Sequence, residues 1–155
     1  MVNNILFMVI LAAFLPAPLI YIAGKNVGKN ISWVVLGIFL ISTVVFGSLF
    51  PAVQIESIIE EYHWVAEPVK LTLGFMADGL SIPMVFTYVV VFAGATLFSM
   101  PYIERRFSLD DVEDTNENYA RFYTLFLLYG GSVAGCMLST NLIEFFMFFE
   151  LALIF

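Results

Sequence analysis

Long apolar runs alternate with short polar links along this chain, and the runs have the length of helices that cross a bilayer. The first, Val2 to Ala23, is interrupted only by Asn3 and Asn4 near its start and by Pro16 and Pro18, which should kink or loosen its last turn. A polar link, Gly24 to Asn30 (GKNVGKN), separates it from a second run, Ile31 to Phe50, ended by Pro51. Trp33 stands near the start of that run, where an interfacial anchor belongs.

Between residues 51 and 80 the pattern changes. Glu56, Glu60, Glu61, Glu67, Lys70 and Asp78 are set among apolar residues at short spacing, which predicts an ordered loop outside the membrane. Ile55, Ile58 and Ile59 fit one amphipathic helical turn, after which the period becomes two. Val69, Leu71, Leu73 and Phe75 point one way, and Lys70, Thr72 and Gly74 the other, as in a strand lying on something apolar. Tyr62 to Ala66 is the expected hairpin partner, with Glu67-Pro68 in the turn. Asp78-Gly79 marks a turn, Ser81 is placed to cap the third run, and Pro83 is tolerated in its first turn.

The third run reaches about Met100 and is stopped by Pro101. An acidic loop over residues 101–121 carries Arg105, Arg106 and Arg121 among six acids, and a fourth run follows from Phe122 to Ser139. The fifth opens near Asn141 and is still apolar at Phe155. Its length corresponds to about 22 Å of helix against a core of about 30 Å, so this helix is expected to be unfinished or shielded by another chain. The expected fold is therefore an all-α integral membrane protein with about five transmembrane helices, near 2–23, 31–50, 81–100, 122–139 and 141–155, and a β-hairpin loop between the second and third. Basic residues concentrate in the first and third loops (Lys25, Lys29, Arg105, Arg106, Arg121). The positive-inside rule thus places the amino terminus and the hairpin outside the cell membrane.

Composition agrees with this pattern and excludes several classes of function. Of 155 residues, 61% are apolar and 12% charged, about half the charge of a soluble domain. Five spans would use roughly 100 residues and leave no room for a separate soluble domain. Neither GxGxxG nor GxxxxGK[ST] occurs, so nucleotide or redox chemistry is expected on a partner and no cofactor on this chain. A net charge of −7 argues against nucleic acid and anionic surfaces as partners. The lone Cys136 has no second thiol for a disulfide or a metal pair, and the first run lacks the basic flank of a secretory signal, so it reads as a retained span.

Two acids lie within the fifth run, and a carboxylate at depth normally faces protein or water and marks an ion route. Asn141 and Glu144 have the spacing of a capping box, which supplies a structural explanation for Glu144. Glu150 has no such explanation; it lies about 9 Å deeper, among Phe148, Phe149, Leu151 and Leu153. Burial favours the neutral form of such a group and a nearby cation its charged form, so a movable Lys partner could switch it. No Lys or Arg lies within a predicted span, so that partner is expected on another chain or on a continuation of this one. Gly131, Gly135 and Ser139 form a small-residue stripe on the fourth run that suits close helix packing. His63, beside Tyr62 and Trp64, is a candidate proton donor or metal ligand, but there is no second His and an aromatic interfacial position explains it, so no metal site is expected.

The segments LTLGFMADGLSIP, FSMPYIERR and FYTLFLLYGGSVAGCMLSTNLIEFFMFFELALI, in this order, resemble the amino-terminal part of antiporter-like subunits. These subunits occur in respiratory complex I, in Mrp-type sodium/proton antiporters and in energy-converting membrane-bound hydrogenases. DGLS and FFELALI carry the most specific part of the likeness. The resemblance implies two inverted helix repeats with broken helices, preceded by lead-in helices, that move H+ or Na+ through buried charges. It also implies that Glu150 occupies the position of a glutamate that pairs with a lysine on a later helix, with Glu144 at most auxiliary. The present sequence would cover about the front third of such a subunit and work among other membrane subunits, one of them supplying the lysine helix. Three functions compete. The chain is a translocating subunit or a split part of one; it is a structural module that seals neighbours through its stripe and hairpin; or it is a small independent transporter acting as an oligomer.

Overall fold

The computed structural model describes residues 4–65, 71–109 and 116–155. In chain order the elements are helices α1 (Ile5–Phe14) and α2 (Ala17–Val27), a 3-10 turn (Gly28–Asn30) and α3 (Ile31–Val53). Strands β1 (Ile58–Val65) and β2 (Leu71–Ala77) follow, then α4 (Ser81–Leu109), α5 (Asn116–Leu138) and α6 (Leu142–Ile154). Two helical stretches, Ile5–Val53 and Ser81–Phe107, are long and apolar enough to cross a membrane.

The helices run up and down. Phe50 meets Phe86 and Phe39 meets Phe92 between α3 and α4, while Phe107 meets Tyr119 and Phe92 stacks on Phe126 between α4 and α5, so each pair is antiparallel. In lipid, apolar side chains gain little from leaving the solvent, and association depends on close packing at small residues. α5 is the hub for that reason. A Cβ on Gly130 would stand 2.8 Å from the Phe39 ring, one on Gly131 2.5 Å from Ala13, and one on Gly135 2.6 Å from the Phe148 ring. The stripe is thus filled by α1, α3 and α6 of the same chain. Ser139 leaves the packing face, donates to the Gly135 carbonyl at 2.7 Å and bridges to Phe75 of β2.

The two strands form an antiparallel ribbon with Glu60 opposite Phe75 and Tyr62 opposite Leu73. Alternation turns Glu60, Phe75 and Ala77 into the bundle, where all three are buried, and leaves Ile59, Glu61 and His63 exposed. Phe75 seats between Phe7 of α1 and Phe148 of α6, at ring distances of 6.1 and 6.0 Å. The outer edge of β2 is not left open: Thr140 donates its amide to the Gly74 carbonyl at 3.0 Å, and Asn141 Nδ2 donates to the Thr72 carbonyl at 2.9 Å.

Several boundaries differ from those read in the sequence. The first run is two helices, because Pro16 removes an amide donor and its ring pushes on the preceding turn; α2 restarts at once and continues through the expected link to Val27. The chain turns at Gly28, whose φ of +62° only glycine adopts freely and where a side chain would collide with Asn116. Neither Pro51 nor Pro101 ends its helix; α3 reaches Val53 and α4 reaches Leu109. A proline near the end of a helix deprives one carbonyl of its donor, a loss that does not stop the remaining turns. Ile58 and Ile59, read as part of a helical turn, belong to β1, because pairing with Met76 and Ala77 outweighs a single local turn. α5 begins at Asn116, six residues before the expected start at Phe122, inside the polar loop. The Glu67-Pro68 turn lies outside the described residues.

Candidate functional site

Glu60, Glu144 and Glu150 stand among the apolar residues of the bundle, and the backbone around them decides what each is free to do. Glu60, which sequence reasoning left as a loop acid, is 7% exposed. Its Oε1 accepts from the Leu6 amide at 3.1 Å and its Oε2 from the Phe7 amide at 3.0 Å. α1 has no side-chain cap of its own, since Asn4 lies in a left-handed conformation without a capping bond. Glu60 caps it instead, from a strand more than fifty residues later, with its charge against the positive helix end. Tyr62 adds a bond from its hydroxyl to Asn4 Oδ1 at 2.8 Å. The available signal was the inward phase of Glu60 in a period-two segment facing an uncapped helix.

Glu144, in the first turn of α6, is 3% exposed. Asn141 Oδ1 accepts from the Glu144 amide at 2.9 Å, which is the forward half of the capping box. The return half differs from expectation. Glu144 Oε2 accepts from the Gly74 amide of β2 at 3.0 Å and from Asn141 Nδ2 at 3.3 Å, because the strand edge brings an unpaired donor closer than the helix's own first amide. The other oxygen, Oε1, is buried with no hydrogen-bond partner among the described residues.

Glu150 lies about 9 Å further along α6 and about 120° round its axis from Glu144. Glu144 and Phe148 face α5, whereas Glu150 shares the opposite flank with Ile143, Phe146 and Ile154, which are 57%, 57% and 73% exposed. The Glu150 side chain is half-buried and makes no hydrogen bond or ion pair to any described residue. Cations are found at the other end of the bundle, where Lys25 pairs with Glu117 at 3.2 Å and Lys29 with Glu104 at 3.1 Å. No group of three or more potential metal ligands occurs among the described residues.

Asp78, His63 and Cys136 stand outside this series. Asp78 Oδ1 accepts from the Leu80 and Ser81 amides at 2.9 and 2.7 Å, so Asp78 caps α4; Ser81, the expected cap, returns a bond by accepting from the Asp78 amide at 2.9 Å. The Ser81 and Leu80 amides hold the Asp78 carboxyl below the usual carboxylate range. His63 is exposed beside a cleft that also touches Tyr62, Leu73 and Met147. Cys136 is half-buried, and its thiol lies 3.7 Å from the Phe145 carbonyl.

No protein-family model matches the chain. It is 28% identical over 134 residues to NAD(P)H-quinone oxidoreductase subunit 5, chloroplastic, of Aethionema grandiflorum, covering 83% of this chain and 16% of that protein. It is 28% identical over 137 residues to Na(+)/H(+) antiporter subunit A1 of Staphylococcus haemolyticus, covering 86% and 15%. It is 29% identical over 159 aligned residues to NAD(P)H-quinone oxidoreductase chain 4, chloroplastic, of Mesostigma viride, covering 99% and 28%. The chain thus spans less than a third of the length of these relatives. Its fold matches a chain of the membrane-bound sulfane sulfur reductase, an archaeal respiratory membrane complex, with a TM-score of 0.65 and 17% identity over 93% of this chain and 21% of that one. Apolar helices and these relatives together give the chain a membrane location.

Proposed function

The chain is a relative of the antiporter-like membrane subunits of the complex I and Mrp antiporter superfamily, and on that premise we propose that it helps move H+ or Na+ within a multi-subunit membrane assembly. Glu150 is the coupling carboxylate of that reading. The observation that carries it is that Glu150 sits on the outward flank of α6 with no partner among the described residues, amid exposed apolar side chains that ask for a covering helix. A carboxylate at this depth is too costly to leave unpartnered, so a cation, expected from a lysine on another chain or on a continuation of this one, completes the site. A carboxylate releases its proton more readily when a cation approaches, and a lysine moving toward and away from Glu150 would switch it between holding and releasing an ion. Glu144 assists through its free Oε1, while Oε2 stays engaged with the hairpin.

In this reading the hairpin end faces the exterior and the Lys25 and Lys29 end the cytoplasm. Glu150→Gln keeps the shape and removes the charge. Ion movement by the assembly is expected to fall by at least about tenfold, the scale of one lost charge interaction, with assembly unchanged. Unchanged ion movement would make the chain a structural module that seals its neighbours.

A further inference from the structure

The basic end of the bundle holds a cleft of about 210 Å3 that no part of the proposed ion path uses, lined by Lys29, Asn30, Ser32, Trp33, Pro101 and Glu104. It lies where two apolar helices leave the hydrocarbon together. α3 is apolar from Ile31 onward and α4 is apolar up to Met100, and the first charges beyond those limits are Lys29 and Glu104. Trp33 is 60% exposed beside the cleft, with its ring at the boundary that indoles favour.

The floor is rigid and polar. Ser32 is 2% exposed and donates to the Lys29 carbonyl at 2.7 Å. The buried Tyr123 hydroxyl meets Ser99 Oγ at 3.2 Å and joins α4 to α5. At the mouth, Lys29 Nζ and Glu104 Oε1 stand 3.1 Å apart with side chains 61% and 51% exposed. A pair so exposed contributes little to stability, and each partner keeps bonding capacity that faces outward.

We propose that this cleft binds the headgroup of a phosphatidylethanolamine-type lipid. The phosphate meets Lys29 and Asn30, the primary ammonium meets Glu104, and the start of the acyl chains lies on Trp33 and Pro101. Charge complementarity selects this occupant. Glu104 repels a headgroup that is only anionic and Lys29 repels one that is only cationic, whereas a zwitterion satisfies both. A choline headgroup has the same net charge but no N–H to donate, so Glu104 distinguishes the two lipids. The proposal rests on the membrane location and is independent of the role given to Glu150.

The test is native mass spectrometry of the intact assembly carrying this chain, after exchange into nanodiscs of equal phosphatidylethanolamine and phosphatidylcholine. Wild-type assembly should retain the ethanolamine lipid over the choline lipid on the order of tenfold. Glu104→Gln should erase that preference with the subunits still assembled, and Lys29→Gln should lower retention of both lipids. Equal retention by the wild type, or a preference that survives Glu104→Gln, overturns the proposal. So does preferential retention of phosphatidylglycerol, which would mark an anion site. Displacement of the lipid by soluble phosphoethanolamine at millimolar level would mark a site for free phosphoesters and overturn it equally.

Discussion

At the hairpin end of the bundle the carboxylates of Glu60 and Glu144 are engaged by backbone amides, whereas midway along α6 that of Glu150 has no partner among the described residues. The contrast is graded. Both oxygens of Glu60 accept amides of α1, one oxygen of Glu144 accepts from β2 and from Asn141, and Glu150 has no partner among the described residues. All three are the same residue type in an apolar surrounding, so burial alone does not identify a functional acid. What separates them is whether local backbone geometry already uses the charge. Removing a buried acceptor leaves amides unsatisfied and destabilises, while removing a charge with no partner in the fold alters only what that charge would meet elsewhere.

The largest effect should come from breaking the packing that brings α6 against α5. Gly135→Leu drives a side chain into the Phe148 ring, 2.6 Å from where even a Cβ would stand, and no rotamer of a ring wedged between helices relieves that. Loss of the assembled chain from detergent-solubilised membranes, seen by gel filtration or immunoblot, is the expected result. Glu60→Gln should be milder. Gln keeps one acceptor and turns an N–H donor against the other α1 amide, costing roughly 1–3 kcal/mol, which a thermal melt of the assembly would register without a matching loss of ion movement per folded complex.

Glu144→Gln sharpens the middle of the series. It should retain the bond from Gly74 through the amide oxygen, lower stability less than Glu60→Gln, and reduce ion movement only partly. A reduction as large as that from Glu150→Gln would collapse the grading. The smallest effect concerns Asp78, whose carboxyl is held low by the Ser81 and Leu80 amides. A depressed carboxylate contributes stability above its unfolded value, about pH 4, and loses it as the pH falls through the lower folded value. Asp78→Asn should therefore lower stability slightly across the neutral range and remove the small acid-side slope from the stability profile.

Much of this arrangement was legible in the chain. Run lengths announced the helices, period two announced β2, and spacing gave Glu144 a capping partner in Asn141. The rest needed tertiary neighbours. Ile58 and Ile59 read as a helical turn because their strand partners, Ala77 and Met76, come almost twenty residues later. Pro51 and Pro101 read as stops because sequence shows the missing donor and not the packing that carries the helix past it. The inward phase of Glu60 was a signal without a visible target, because the helix it caps is the first in the chain and the strand bearing it comes after α3. Glu144 was half legible: the bond within α6 follows from spacing, and the bond to Gly74 from the close approach of β2, where a Cβ would collide with Thr140.

The measurement that tests the central claim most directly is ion movement by the assembly reconstituted in proteoliposomes, compared for wild type, Glu150→Gln and Glu60→Gln at equal amounts of folded complex. The account predicts that Glu150→Gln loses coupled H+ or Na+ movement with its melting temperature unchanged, and that Glu60→Gln melts earlier while its folded fraction still transports. Full transport by Glu150→Gln, with the other subunits present, would contradict it.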